Sequence, residues 1–545
     1  MHMVTLYDTT LRDGSQRAGI SFSSQDKLRI AARLDSLGVP YIEGGWPGSN
    51  PKDEEFFALL RRHPLKSAKA VAFSSTCRAG VAPEHDATLR ALLDASTRAV
   101  AIFGKSWDFH VIGALSTTLE ENLRMIRESV AYLRQCGREV IYDGEHFFDG
   151  YRANPAYALA TLRAARKGGA DWLVPCDTNG GNLPEDVARI MRTVAAEFPG
   201  ARLGIHAHDD SGLGVAVSLA ALEAGATMVQ GTINGYGERC GNANLCAIIP
   251  NLELKLGLKC LPEGKLAELT AVSHFVSELA NLPHWEAQPF VGRNAFAHKA
   301  GVHVSALMKD SAMYEHIPPE LVGNERHVLV SELAGRSNLT YHFGRELNAG
   351  DAASLTRLIK EREHQGYQYE GAEASLELLV KGYPSIFELQ RLRVTVTAED
   401  AQYLSEASIK LRVGTRVVHT AAEGNGPVNA VDAALRKALT EVYPEVGRVS
   451  LLDYKVRVLE GSAGTQALVR VLIESGDGER SWGTVGVSAN VLEASWQALS
   501  KKASKAPFWT YNVRSRPGVG FSIRCSGVGP SIMARRKLSS SRDRA

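Results

Sequence analysis

The sequence contains no apolar run long enough to cross a bilayer, and it does not open on the charged-then-apolar pattern of a secretory signal. Neither membrane insertion nor export is therefore expected. It contains no C-x-x-C pair, and its seven cysteines (Cys77, Cys136, Cys176, Cys240, Cys246, Cys260 and Cys525) are odd in number and scattered. That argues for reduced thiols and a cytoplasmic location over a disulfide framework. The glycine run Gly235-Tyr236-Gly237-Glu238-Arg239-Cys240-Gly241-Asn242 is not spaced G-x-G-x-x-G and falls late in the chain, so a dinucleotide site is rejected. Charge of one sign is also scarce: the net value is +2, of which residues 501–545 hold +10 and the rest −8. Nothing in the body suggests nucleic-acid binding. Residues 507–545, rich in Ser, Arg and Gly with no hydrophobic period, read as a basic tail without ordered structure.

What is present is a chain of 545 residues, 44% hydrophobic, with a mean hydropathy of −0.14. It is too long for one core and sized for about three units. Short β-like runs at 2–7, 39–45, 68–74, 98–103, 138–143, 170–175, 201–206 and 226–232 alternate with amphipathic stretches near 24–37, 52–62, 84–95, 118–136, 154–168, 184–198, 212–224 and 243–257. Start and stop signals support several of the helices, among them Pro184-Glu185 and Gly168-Gly169. This alternation predicts an α/β fold, a (β/α)8 TIM barrel over residues 1–265; an open doubly wound sheet would alternate similarly. Residues 266–390 read as helical linker subdomains. From 391 to 506, β-like runs at 392–397, 409–419, 450–459 and 466–473, with helices at 428–442 and 488–503, suggest a small α+β domain of two strand–strand–helix halves.

In a barrel, chemistry collects where strands end. Arg12-Asp13-Gly14, Glu43-Gly44-Gly45-Trp46, Glu145-His146, Asp177-Thr178-Asn179-Gly180, His206-Ala207-His208 and Asn234 to Arg239 all fall at predicted strand ends. Residues two apart on a strand share a face, so His206 and His208 project together. Two imidazoles with carboxylates nearby suit a divalent metal of the Zn/Mn/Fe class, and Asp13 completes a set with open positions. Each residue also has an ordinary reading. The histidines can bond one another, Asp13 can cap the turn at Gly14, Arg12 can be a surface cation, Glu145 an ion-pair partner and Thr178 a turn cap.

The set Asp8-Thr9-Thr10-Leu11-Arg12-Asp13-Gly14, His206-x-His208-Asp209-Asp210 and Gly235-x-Gly237-Glu238-Arg239-x-Gly241-Asn242 resembles the isopropylmalate/citramalate/homocitrate synthase family over about residues 3–505. The run Ile42-Glu43-Gly44-Gly45-Trp46-Pro47-Gly48-Ser49-Asn50-Pro51 is similar to the citramalate branch of that family. The resemblance implies a Claisen condensation of acetyl-CoA with an α-keto acid, pyruvate in that branch, on a route to isoleucine. It implies that Asp13, His206, His208 and Asn242 hold a divalent ion (Mn, Mg or Zn), that Arg12 polarises the keto oxygen, that Thr178 holds the carboxylate and that Glu145 enolises the acetyl methyl. It also implies a histidine from the linker segment over the mouth, His303 rather than His298, with Tyr314 as its neighbour. The C-terminal domain would be regulatory, forming a homodimer and binding an end-product amino acid, isoleucine in this route. The alternatives are a 2-isopropylmalate synthase, an acyl-CoA lyase running in reverse, and a non-catalytic amino-acid sensor. A pocket for pyruvate must be short, and Trp46, Phe73 and Phe103 are the residues expected to shorten it.

Overall fold

Apolar residues that alternate with period two build strands, and in the computed structural model eight of them close into a ring. The strands are β1 (Thr5–Asp8), β2 (Tyr41–Gly45), β3 (Lys69–Ser75), β4 (Ala99–Lys105), β5 (Glu139–Glu145), β6 (Trp172–Asp177), β7 (Gly204–Ala207) and β8 (Met228–Gly231). Each pairs in parallel with the next, and β8 pairs back onto β1. The structure describes residues 3–330, 336–344, 349–383, 385–399, 402–459, 464 and 466–514. They form two compact units, Met1–Val328 and Leu329–Ala545, so the stretch 266–390 is divided between them.

Alternation along each strand produces two separate apolar layers. In β5, Val140 and Tyr142 face outward into the large core beneath the helices, whereas Ile141 faces into the ring with Tyr7, Tyr41, Phe73, Trp172 and Met228. The barrel interior is thus filled by side chains and is not a channel. Helices close each β–α unit with local signals. Ser23 and Asp26 form a reciprocal cap before Ser24–Leu37, Pro184 opens Pro184–Glu197, and Gly169 ends Pro155–Gly168 with φ of 93°. After the barrel come the helix Leu269–Leu279, the helix Gly301–Leu307 and a short parallel pair, β9 (Ala297–His298) with β10 (His327–Val328).

The second unit corrects the expected strand count. Each half carries three antiparallel strands before its helix: β11 (Glu388–Glu399), β12 (Gln402–Val413) and β13 (Arg416–Gly424) before Pro427–Leu439, and β14 (Ser450–Val458), β15 (Val469–Gly476) and β16 (Ser481–Ser488) before Val491–Arg514. The run 409–419 is two strands, reversed at Gly414 with φ of 59°. β16 went unseen because two glycines interrupt its apolar signal. The last helix extends through Arg514, past residue 506 where order was expected to end; residues 515–545 lie outside the described part. No described helix is long and apolar enough to cross a membrane.

Candidate active site

Asp13 lies in the turn after β1 and heads a short 3-10 helix, Gly14–Gln16, but its carboxylate caps nothing there. It points instead to the end of β7. Its Oδ2 is 3.4 Å from His206 Nε2 and 3.8 Å from His208 Nε2, and the two imidazole nitrogens are 3.2 Å apart. All three residues are buried, and their ligand atoms lie within 4.8 Å of one another. His208 sits just past β7, held there by a bridge to Asn242. The neighbouring carboxylates do not join the group. Asp209 accepts from the Gly214 N–H at 2.7 Å, and Asp210 pairs with Arg239 at 2.7 Å.

Asn242 completes the cluster because the glycine run doubles back over β8. A Cβ at Gly237 would collide with Asn242 Oδ1, and Gly241 holds φ of 106° with the Gly235 carbonyl where a Cβ would go. Only glycine fits such positions without strain. Asn242 Nδ2 donates to Asp13 Oδ2 at 2.8 Å, while its Oδ1, buried, has no partner.

These donors fit a divalent cation. Two imidazole nitrogens and a carboxylate oxygen this close converge on one point as metal ligands do, and an orphaned amide oxygen beside them adds a further lone pair. Burial and the neighbouring His206 push His208 down to about 3, so its ring is neutral near pH 7. Burial alone would raise the Asp13 carboxyl, but the Arg12 guanidinium and both imidazoles outweigh it and hold the group well below the usual carboxylate range. His206 is displaced the other way: burial lowers it, and its hydrogen bond and attraction to Asp13 more than restore it.

Arg12 is a largely buried cation, its side chain 13% exposed. Its Nε donates to Glu43 Oε1 at 2.6 Å, its Nη1 is 3.6 Å from Asp13 Oδ1, and its guanidinium lies 3.7 Å from the centre of the Phe73 ring. Glu43 is fully buried and also accepts from Tyr7 Oη at 2.5 Å. Phe73 stacks on Phe103 at 5.5 Å, and Trp46 meets both edge-on at 5.6 Å. Trp46, Phe73 and Phe103 thus form one aromatic cluster, which meets Arg12 through Phe73.

Glu145 ends β5 and is ion-paired with Lys105, its register partner on β4. Lys105 in turn lies 5.6 Å from the Phe103 ring. Thr178 Oγ1 accepts from the His146 N–H at 2.9 Å, which leaves its own hydrogen free to donate. His303 is exposed and stacks on Tyr314 at 4.2 Å, and among the described residues neither touches the Asp13 group. His298 is buried and bonded to Glu315 at 3.2 Å, a carboxylate also gripped by Arg326 at 2.5 Å.

The chain matches the HMGL-like family over residues 3–276, the homocitrate synthase post-HMGL domain-like family over 290–366 and the LeuA allosteric (dimerisation) domain over 370–506. It is 56% identical to the (R)-citramalate synthase of Synechocystis sp. over 91% of this chain and 94% of that one. The chain belongs to the (R)-citramalate synthase family. The (R)-citramalate synthase of Aquifex aeolicus is 54% identical, covering 91% of this chain and 96% of its own. The 2-isopropylmalate synthase of Brevibacillus brevis stands further off, at 33% over 93% and 97%. The expected acyltransferase of the citramalate branch thus holds, and with it a barrel followed by an allosteric, dimerising α+β domain.

Within this citramalate synthase architecture, three buried polar residues escaped the sequence reading. Glu43 was noticed only as a strand end. Gln230 and Asp143, 0% and 4% exposed, occupy inward positions in the middle of β8 and near the end of β5. The available signal was a polar residue at an inward position of an otherwise apolar strand, in Met228-Val229-Gln230 and Ile141-Tyr142-Asp143.

Proposed function

We propose that this chain condenses the acetyl group of acetyl-CoA with pyruvate and water to give (R)-citramalate and CoA. The observation that carries the proposal is that the Asp13–His206–His208 group and the Trp46–Phe73–Phe103 wall meet on one residue, Arg12, at 3.6 and 3.7 Å. A charged grip for a keto acid's oxygens and a barrier to its chain length thereby share one wall.

Asp13, His206, His208 and Asn242 would hold a divalent ion, which when bound supplies Lewis-acid charge to the keto acid's oxygens. Arg12 adds its guanidinium charge at the keto oxygen, and Glu43 fixes its direction. Thr178 donates its hydroxyl to the keto-acid carboxylate. Glu145 takes a proton from the acetyl methyl, a weak carbon acid that needs a positioned base. The resulting carbanion attacks the keto carbon, whose oxygen gains a proton and becomes the tertiary hydroxyl. Water then cleaves the thioester, releasing a carboxylate and the CoA thiol. The test is CoA release from acetyl-CoA with a panel of keto acids: turnover with pyruvate should exceed that with 2-ketoisovalerate, and the reverse order would assign the chain the isopropylmalate reaction.

The aromatic wall sets acceptor length in this scheme. Trp46→Ala or Phe103→Ala should raise the ratio of 2-ketobutyrate and 2-ketoisovalerate turnover to pyruvate turnover by about 10-fold or more, the usual value of one or two methylenes in a pocket. Phe73→Ala should also lower turnover on pyruvate, because it removes the surface on which Arg12 rests. Unchanged ratios in all three variants would remove the wall from the account.

His303 is the linker histidine we place over the mouth. An exposed imidazole stacked on Tyr314 is free to reach substrate, whereas His298 is committed to Glu315. His303→Ala and Tyr314→Phe should lower kcat with the melting temperature unchanged. His298→Ala should lower stability first, so a loss of kcat confined to it would exchange the two roles. The allosteric domain would act in a homodimer and take isoleucine as its effector. The six described cysteines, all free, support a cytoplasmic protein.

A further inference from the structure

A neutral imidazole carries hydrogen on one ring nitrogen and a lone pair on the other, and the partner of the first decides which is which. For His206 to offer Nε2 to a cation, Nδ1 must keep its hydrogen. His206 Nδ1 lies 2.9 Å from Gln230 Oε1, and Gln230 Nε2 donates to Asp143 Oδ1 at 3.0 Å. Strand register builds this line, since His206 on β7 is paired with Gln230 on β8. All three side chains are buried, so water cannot substitute for a missing partner.

A glutamine amide can face either way, and turned over it would present N–H to Nδ1 and force the hydrogen onto Nε2. The carboxylate settles the choice. An ionised Asp143 only accepts, so it takes the NH2 side and leaves the carbonyl oxygen to the ring. We propose that Asp143 and Gln230 are positioning residues: they hold His206 in its Nδ1–H form and aim the Nε2 lone pair into the Asp13–His208–Asn242 group. The relay works whether or not Nε2 is protonated before an ion arrives, because Gln230 accepts from Nδ1 in both states. His208 has no such device, its Nδ1 being buried without a partner. His206 is therefore the ligand whose direction is built in. This inference rests on the metal reading proposed above.

The test is calorimetric titration of the metal-free protein with Mn2+ at pH 8, above the value of about 7 to which burial and Glu43 raise Asp143. Gln230→Met keeps the length but removes the acceptor, and should weaken Mn2+ binding by about 10- to 100-fold, the usual cost of losing a ligand's outer partner. The double variant D143N/Q230E exchanges amide and carboxylate at nearly constant shape: position 230 still offers an acceptor to His206 Nδ1, while the bond between positions 230 and 143 reverses, the amide at 143 now donating. It should bind Mn2+ as tightly as the wild type or more so, a recovery that packing alone does not predict. Wild-type affinity in Q230M, or weak binding in a D143N/Q230E protein that melts normally, overturns the proposal. Should Q230M fail to fold, the exchanged pair decides by itself. A wild-type protein that binds no Mn2+ refutes the metal reading instead, so the two failures are distinguishable.

Discussion

Replacing both imidazoles, in the double variant H206A/H208A, is expected to reduce CoA release with pyruvate by on the order of 10³-fold or more. The two rings supply nitrogen donors 3.2 Å apart, and no other described histidine, cysteine or acidic residue beside Asp13 forms such a group. Without them Asp13 and Asn242 remain as a carboxylate and an amide, too few donors to retain a transition-type ion against dilution. The keto acid then loses several kcal/mol of charge stabilisation, and each ~1.4 kcal/mol is a factor of ten in rate. Arg12 would remain, with its bond to Glu43, so residual binding of pyruvate should persist. Stability should change far less than activity, because removing two neighbouring imidazoles also removes the crowding between them. Turnover within tenfold of the wild type would show that the cluster is a structural hydrogen-bonded pair.

Glu145→Gln should lower kcat by about 10²- to 10⁴-fold, the range set by loss of a general base, while KM for pyruvate changes little. The substitution keeps the shape of the side chain and removes its capacity to take a proton. It also breaks the ion pair with Lys105. That pair is partly exposed, 19% and 23% at the two side chains, and an accessible pair contributes at most about 1 kcal/mol, so the fold should survive. The readout specific to enolisation is exchange of the acetyl methyl hydrogens with deuterated water in the presence of a keto acid. The variant should lose exchange and turnover together. Retained exchange with lost turnover would move the base elsewhere and leave Glu145 the ion-pair partner that its salt bridge alone suggests.

The ring was legible because parallel barrel strands repeat one grammar eight times: a short apolar run, a polar or glycine residue at its end, then an amphipathic stretch. Asp13 lies 229 positions from Asn242 in the chain, and only closure of the ring brings it beside His206, His208 and Asn242. The two imidazoles could be paired from period two alone, whereas Asn242 depends on the Gly237 and Gly241 backbone, whose path no spacing rule predicts. The Gln230–Asp143 line was invisible for a related reason. A single polar residue inside an apolar strand carries no period, and its meaning comes from the register of β8 against β7. In the second unit, polar stretches such as Gln402–Ser408 and glycine interruptions in Ser481–Ser488 hid strands that cross-strand pairing supplies. His303 was preferred to His298 on the resemblance alone; no spacing rule shows that His298 is buried and bonded to Glu315, because that bond depends on the fold.

The most direct measurement is metal content set against turnover. Protein stripped with chelator and reloaded with increasing Mn2+ should release CoA from acetyl-CoA and pyruvate in proportion to the bound ion, reaching its maximum at a single ion per chain, and H206A/H208A should bind none. Full turnover by the stripped protein, or an ion retained by the double variant, would contradict the assignment of these residues to the reaction.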